Sequence, residues 1–532
     1  MTKNNHEPDY ILPEGTKRSM GRSAQKMNIL AARLVAETVR STLGPKGMDK
    51  MLVDELGEIT VTNDGVTILK EMNVDHPSAK MVIEVAKTQE EEVGDGTTTA
   101  VVLAGELLRR AEELLESGIH PTIISKGYLM ASQESLKILN KTSKDVKEDN
   151  HETLLKIAET AMTGKGAEEN KKKLAELIVQ SLTELAKHQE TDLRSGISVK
   201  RKIGSNASES ELIKGVVIDK EKVHPDMPSR IKNAKILLLD VPLEIKSTAT
   251  DAKISINSPE MMQSFIDVEE KTLKALVEKI HETGANTVFC QKGIDDLAQY
   301  FLAKKGIFAV RRVKRSDMKK LSEATNAKII SDLDNVKDAI GEAGLVEQIK
   351  TGEEHITLVK ECKNPRAMSI LVKGTTTHVA DETARAVEDA IGDVASVLKL
   401  KKAVPGAGST EALLSKELKK YAHKLKGREQ LAALSFAESF EIIPKTLAEN
   451  AGLDSINVLA ELKHAHEAEK TNAGINVFTG EIINAWEEGI IEPLKIKVQA
   501  ITSATEVANL ILRIDDVILS ETKKEEPGKE EY

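Results

Sequence analysis

Gly94-Asp95-Gly96-Thr97-Thr98-Thr99-Ala100 is the stretch that decides how this chain of 532 residues reads. Two glycines flank a carboxylate, and three hydroxyls open a run of helical spacing from Thr97 to Ser117. Glycine lets the backbone approach an anion closely. The start of a helix presents unpaired N–H groups and the positive end of its dipole to a phosphate. The threonine hydroxyls add donors. Asp95 would repel a bare phosphate, so it makes sense only beside a cation, and Mg²⁺ is the usual companion of phosphates. No Gly-Lys-Ser/Thr ending follows, so this is not a Walker A loop. The plain alternative is a capped helix after a glycine turn.

Toward the N-terminus, Met27, Leu30, Ala31, Leu34, Val35, Thr38 and Val39 recur at three- and four-residue spacing, which predicts a helix from Ser23 to Leu43. Gly44-Pro45 stops it. Short strands are expected at Lys50 to Asp54 and Glu58 to Thr62, then a tight turn at Asn63-Asp64-Gly65. Helical patterns cover Ser78 to Glu92 and Pro121 to Asn140, and the charged stretch from Lys141 to Asn150 marks a boundary.

Beyond it, helices are expected at His151 to Met162 and Ala167 to Ala186, and strands between Ser198 and Ile218. From 219 to 368, short apolar strands (Lys235 to Leu239, Thr287 to Cys290, Phe308 to Val310, Lys328 to Ile330) alternate with helices, an α/β periodicity. Ser258-Pro259 reads as a helix start. That helix carries Met262, Phe265, Ile266, Leu273, Leu276, Val277 and Ile280 on one face and closes at Gly284. A strand from Ser369 to Lys373 precedes a long helix from Thr377 to Leu400. Val404 to Leu512 is helical again, and the Lys/Glu-rich tail from Thr522 to Tyr532 is expected to be disordered.

Composition removes several function classes. The 75 Lys and Arg against 85 Asp and Glu give a formal charge of −10, which argues against a broad nucleic-acid surface. One Trp, five Tyr and seven Phe are too few for base-stacking platforms. Two cysteines, Cys290 and Cys362, make neither a disulfide framework nor a structural zinc site, and read as small buried hydrophobes in a reducing compartment. Met1 to Tyr10 is polar, so no secretory leader is expected. No apolar run approaches the ~18 residues that span a bilayer. A cytoplasmic protein with neither nucleic acid nor membrane as partner is expected. The basic run Arg311-Arg312-Val313-Lys314-Arg315 reads as a solvated edge, and His464 and His466, two apart, as pointing to different helix faces.

Four further segments are weak alone. Thr42-Leu43-Gly44-Pro45-Lys46-Gly47 is a helix stop, Asn63-Asp64-Gly65 an Asx turn, Val404-Pro405-Gly406-Ala407-Gly408 a loop before a helix, and Glu388-Asp389 an acidic pair in a helix. Together and in this order with the first stretch, they resemble the chaperonin family. The likeness is to the group II chaperonins, the archaeal thermosome and its eukaryotic cytosolic relatives, with the densest match to archaeal sequences. It spans roughly residues 10–518 and includes Val61-Thr62-Asn63-Asp64-Gly65-Val66-Thr67-Ile68-Leu69 and Glu92-Val93-Gly94-Asp95-Gly96-Thr97-Thr98-Thr99. Cys290-Gln291-Lys292-Gly293-Ile294-Asp295, Ala448-Glu449-Asn450-Ala451-Gly452-Leu453 and Gly489-Ile490-Ile491-Glu492-Pro493-Leu494 extend it.

The resemblance implies a mainly helical, multidomain α+β fold. A helical equatorial domain would comprise 1–148 and 403–520, a small α/β intermediate domain 149–218 and 369–402, and an α/β apical domain 219–368, with a lid protrusion at about 246–268 and a tail at 521–532. It implies ATP and Mg²⁺ as cofactors, non-native client proteins as substrates, and identical or sister subunits as partners in stacked rings. By the resemblance, Thr42, Leu43, Gly44 and Pro45 contact nucleotide, Asp95 holds Mg²⁺, and Gly96, Thr97, Thr98 and Thr99 cradle phosphate. Asp389 is the catalytic aspartate that positions the attacking water, Asp64 a second acid near it, and Lys165 the sensor of the γ-phosphate. Gly406 and Gly408 form a glycine loop at the nucleotide, and Asn476 and Glu492 contact base and ribose.

The sequence departs from the family pattern in places. Ala407 replaces the middle glycine of the usual three, where a methyl is expected to crowd the nucleotide or stiffen the loop. Asn484-Ala485 stands where an acidic residue and Met are common, and the tail is acidic rather than Gly/Met-rich. Two other functions use parts of the same sequence. A small-substrate kinase needs an acceptor pocket, and no second dense polar constellation marks one. A passive holdase has no need of Asp64, Asp95 and Asp389 together.

Overall fold

The computed structural model describes residues 17–188, 192–204, 210–245, 259–333, 336, 339–351, 354–363 and 365–519. The chain forms two compact units, Met1–Asp145 with Lys402–Tyr532, and Val146–Lys401.

The first unit opens with β1 (Lys17–Met20), α1 (Gly21–Arg40), β2 (Lys50–Val53), β3 (Ile59–Thr62) and α2 (Gly65–Glu71). Then come α3 (Pro77–Glu92), α4 (Thr97–Glu116), α5 (Pro121–Thr142) and β4 (Lys144–Asp145). α4 is buried nearly all round along Ala100–Leu108, so it is a central helix rather than an amphipathic surface one. α1, α3 and α16 (Leu494–Leu512) pack on it. With few aromatics available, small residues set the helix spacing: a methyl at Gly105 would meet the Ala36 Cβ at 2.4 Å. The exceptions cluster, with Tyr128, Phe436 and Phe440 stacked edge to face at 5.4 and 5.5 Å between centroids.

The second unit begins with α6 (His151–Met162), α7 (Lys171–Ala186), β5 (Ile197–Ile203), β6 (Glu211–Ile213), β7 (Val216–Ile218) and β8 (Arg230–Leu239). It continues with α8 (Pro259–Glu282), β9 (Thr287–Cys290), α9 (Asp296–Lys304), β10 (Phe308–Val310), α10 (Arg315–Thr325) and β11 (Ile329–Ile330). It ends with β12 (Gly341–Thr351), β13 (Glu354–Lys360), β14 (Met368–Gly374) and α11 (Thr377–Leu400). The larger sheet runs β10-β9-β8-β12-β13-β7 with β11 beside β8, and the smaller one is β5-β14-β6. β9 and β10 are parallel and buried at every position, as expected of strands covered on both faces. The β12–β13 ladder is antiparallel and mixes charged with apolar residues, and it departs from the purely alternating strand-and-helix reading.

α8 has two halves. From Pro259 to Thr272, every side chain described is exposed, Ile266 included, whereas Leu273, Val277 and Ile280 are buried. Of the apolar face expected from spacing, Ile266 is therefore exposed while Leu273, Val277 and Ile280 are seated. The part of the expected lid protrusion from 246 to 258, the Ser258 cap included, the side chains of Met262 and Phe265, and the tail from Thr522 lie outside the described residues.

The first unit resumes with β15 (Lys402–Pro405), α12 (Ser409–Ala422), α13 (Arg428–Ser439), α14 (Ile442–Asn450) and α15 (Ser455–Glu467). Three short strands, β16 (Ala473–Ile475), β17 (Ile482–Asn484) and β18 (Ile491–Pro493), lead into α16, and β19 (Asp516–Leu519) closes the described chain. β19 pairs antiparallel with β1, Lys17 opposite Leu519, and Arg18 donates to both oxygens of Asp516.

Candidate functional site

Glycines bring five separate segments of the first unit together. Gly96 is the left-handed N-cap of α4 (φ 78°), and a Cβ there would lie 2.6 Å from Ile496 at the start of α16. Gln89 fixes this loop by donating from Nε2 to the carbonyl of Asp95 at 2.8 Å. Gly65, the first residue of α2, leaves room for the Thr98 hydroxyl, which a Cβ would meet at 2.5 Å. Gly44 (φ 84°) packs on Leu447 and Gly408 (φ 72°) on Pro444, so both loops rest on α14, one turn apart. Gly406 lies under the Glu492 carboxylate, with a Cβ 2.8 Å from Oε1. The Lys46 ammonium sits 5.1 Å from the Phe478 ring, tying the first loop to the Asn476–Gly480 turn.

Two helices begin inside this cluster with no side-chain acceptor at their N-caps: α4 behind Gly96 and α12 behind Gly408. No side chain therefore caps their first turns, although Ser409 N of α12 donates to the Gly406 carbonyl, and an anion is a natural acceptor for the other N–H groups of these turns. α2 differs. Asp64 caps it, accepting from Val66 N, Thr67 N and the Thr67 hydroxyl. Asp64 thus anchors the start of α2, and the next residue, Gly65, is the one that abuts the Thr97 and Thr98 hydroxyls.

The charges around Gly406 form a triad. Lys497 Nζ is 2.8 Å from Glu411 Oε1 and also pairs with Glu492 Oε2. Burial opposes the ammonium charge, but Glu411 and Glu492 outweigh it and hold Lys497 above its ordinary range. Burial also pushes the Glu492 carboxyl up, against Lys497, and the carboxylates of Glu411 and Asp95 push the same way. One cation thus faces two acids, and a third, Asp95, bears on Glu492. Asp95 is half-buried at the head of an uncapped helix beside threonine hydroxyls, and among the described residues no group of three or more His, Cys, Asp or Glu side chains could cage a metal. That donor set fits Mg²⁺, which takes one or two carboxylates and fills its remaining sites with water and phosphate oxygens.

The other assigned residues also have local duties. Thr42 and Leu43 are buried, and the Thr42 hydroxyl donates to Val39 O at the end of α1. Asn450 ties down the same turn by donating to the carbonyls of Arg40 and Leu43. Asn476 is half-buried, and its Oδ1 accepts from Phe478 N and Thr479 N, which commits that oxygen to the turn. Ala407 is held at φ 55°, the left-handed region that favours glycine. Its methyl packs against Gly474, where a Cβ would be only 2.9 Å away. Gln89, Glu411, Lys497, Pro444 and Leu447 were not legible as site residues, because each acts through a partner far off in the chain.

In the second unit the Lys165 ammonium contacts Asp389 Oδ2 at 2.5 Å. Asp389 is 8% exposed on α11 while its neighbour Glu388 is exposed, the split that helical geometry imposes on adjacent residues. The loop after α6 is pressed to α11 at Gly166, whose carbonyl accepts from the Thr383 hydroxyl, and a Cβ there would meet Glu382 at 3.0 Å. The two residues assigned to water and γ-phosphate thus form one ion pair. Elsewhere, the weaker candidates are structural. His466 is buried and His464 exposed. Cys290 and Cys362 are buried, their thiols pushed up by burial to about 11 and about 12. Arg311, Arg312, Lys314 and Arg315 are exposed around a buried Val313. No described helix is long and apolar enough to cross a membrane.

A family model described as the TCP-1/cpn60 chaperonin family matches residues 35–522. This chain belongs to the TCP-1/cpn60 chaperonin family. The chaperonin is 56% identical over 512 residues to the thermosome subunit of Methanopyrus kandleri, covering 96% of this chain and 94% of the relative. It is also 56% identical over 526 residues to the thermosome subunit beta of Archaeoglobus fulgidus, covering 98% and 96%. Among solved structures, the open-state monomer of a group II chaperonin from Methanococcoides burtonii matches with a TM-score of 0.58 and 46% identity, covering 79% of this chain and 100% of that one. The chaperonin is thus of the archaeal group II kind, with the multidomain α+β fold of that group.

Proposed function

We propose that this chaperonin subunit binds and hydrolyses ATP and uses the cycle to enclose non-native proteins in a cavity of stacked rings. The observation that carries the nucleotide reading is the meeting of five glycine-bearing segments around two uncapped helix N-termini, with Asp95 beside one of them. Backbone N–H groups of α4 and α12 and the hydroxyls of Thr97, Thr98 and Thr99 bind phosphate. Asp95 holds Mg²⁺, which supplies charge neutralisation when bound. Gly44, Pro45, Gly406 and Gly408 let the backbone close on the nucleotide. Glu492 contacts the ribose and Asn476 the base, through the part of its side chain not committed to the turn. Asp389 orients the attacking water, with Asp64 as a second acid, and Lys165 reads the γ-phosphate.

The assembly reading is supported by the β2–β3 hairpin and the residues leading into it, where Met48, Met51, Val53, Ile59 and Leu56 (92% exposed) present apolar side chains to solvent. Exposure of that kind marks an interaction surface. The lid reading is supported by the exposure of the side chains described between Pro259 and Thr272 of α8. We assign the equatorial role to the first unit and the intermediate and apical roles to segments of the second. The site of action is the cytoplasm. The test is phosphate release with Mg²⁺-ATP, with and without an unfolded protein. ATP turnover that responds to the unfolded protein supports the reading. Absence of turnover leaves a passive holdase, and transfer to an added small acceptor a kinase.

A further inference from the structure

Lys497 is 6% exposed and Glu411 3% exposed, yet neither belongs to any segment that sequence motifs single out. Glu411 lies in the first turn of α12, just past the Gly406–Gly408 loop, and Lys497 in the first turn of α16. Glu492 lies in β18, directly opposite Val404 of β15 in the ladder. The three side chains therefore join three segments at one ammonium. The two oxygens of Glu492 have different neighbours. Oε2 is held by Lys497, while Oε1 lies over Gly406, where even a methyl would be 2.8 Å away. Glu411 also divides its oxygens: Oε1 takes the ammonium, and Oε2 is buried with no hydrogen-bond partner. A buried carboxylate oxygen left bare is costly, and it persists only where the surroundings over-determine it. Core stability alone would be served as well by apolar residues of the same volume.

We propose that Lys497, anchored by Glu411, is a positioning residue that fixes the rotamer of Glu492 and so aims Oε1 at the nucleotide sugar. This rests on the reading of Glu492 as the ribose contact. Tying one oxygen leaves one direction for accepting from a hydroxyl, and a fixed acceptor discriminates against a sugar lacking that hydroxyl because its own hydrogen bond goes unmade. Gly406 is part of the device, since it keeps the space in which Oε1 stands.

Equilibrium binding of ADP, 2′-deoxyADP and 3′-deoxyADP to the full-length protein, without turnover, tests this. Wild type should favour ADP over at least one deoxy analogue by about tenfold, the size of a hydrogen bond to a charged group. Glu492→Gln and Lys497→Met should each reduce that preference to about twofold or less, and the double variant should be no worse than either, as expected of residues acting through one contact. Lys497→Arg, which keeps the charge, should restore part of it. If wild type shows no preference, or Glu492→Gln retains it, the ribose reading of Glu492 has failed. If Glu492→Gln loses it but Lys497→Met keeps it, with only a lower melting temperature, the ribose reading stands and the positioning role is overturned. Where Lys497→Met does not fold, Glu411→Gln decides, since it keeps the shape and removes a buried charge. A reduced preference supports the anchor, and a wild-type preference overturns it.

Discussion

At Gly96, an added methyl meets two obstacles at once: a left-handed backbone and Ile496 at 2.6 Å. Gly96→Ala should cost about 1–3 kcal/mol in a urea titration and weaken ATP binding in proportion. Ala407 is the converse. It already bears a methyl at φ 55°, so Ala407→Gly should raise stability by up to about 1 kcal/mol, the left-handed strain less the added chain entropy. An unchanged or lower urea midpoint would show that the methyl's packing on Gly474 outweighs the strain. Asp389→Ala should bind ATP nearly as wild type but lose on the order of 10²-fold or more in phosphate release, the scale of losing a positioned base. Wild-type turnover would refute the assignment. Of the proposed site, the Gly94–Ala100 stretch was legible from its own residues, whereas Asp64, Asp389 and the other glycines stood out only through the family resemblance, since an Asx turn, a helical acidic pair and a glycine stop are each common without a ligand. The direction of the Ala407 methyl was not legible, because Gly474, which makes room for it, is distant in sequence.

Helices were read well where apolar spacing ran uninterrupted, as in His151–Met162 and Thr377–Leu400, whose observed limits coincide with those expected. β12 and β13 were missed because a half-solvated antiparallel pair interleaves charges with apolar residues, and Gly341 and Gly344 break the pattern further. α14 illustrates an element whose importance no local pattern announces. It is short, yet it carries both Pro444 and Leu447, the floors under Gly408 and Gly44. Glu441 at its N-cap accepts from the Ser415 hydroxyl and Lys419 of α12 and from Lys463 of α15. Burial pushes its carboxyl up, but hydrogen bonds and charge from the two lysines prevail and hold it below the ordinary range. A depressed carboxyl contributes stability that is full above its unfolded value, about 4.3, and fades as pH falls through the folded one. Glu441→Gln should therefore lower stability by about 1–3 kcal/mol at neutral pH. The gap from wild type should close as pH falls below about 4. A gap independent of pH, in urea titrations at several pH values, would show that charge is not the cause.

For the whole molecule, the helical ends and α/β middle were legible from the change of periodicity, and the division at Asp145 and Lys402 falls close to the charged boundary at Lys141 to Asn150. What periodicity does not carry is assembly. Sixteen copies of 58.1 kDa give roughly 930 kDa for a closed double ring. Light scattering that finds only a monomer with intact ATPase activity would contradict that reading. The pairing of β1 with β19 also has a consequence for synthesis. A ribosome delivers α1 to α5 early, but α16, which covers α4, emerges only after the whole of Val146–Lys401 has been made. The nascent first half must wait with its apolar helices uncovered, while the insert has all its partners in hand. A fragment spanning 146–401 should thus melt cooperatively on its own, whereas a chain stopped at Lys401 should aggregate through its N-terminal helices. A protein of the chaperone class would itself then be a candidate for protection while it is being made.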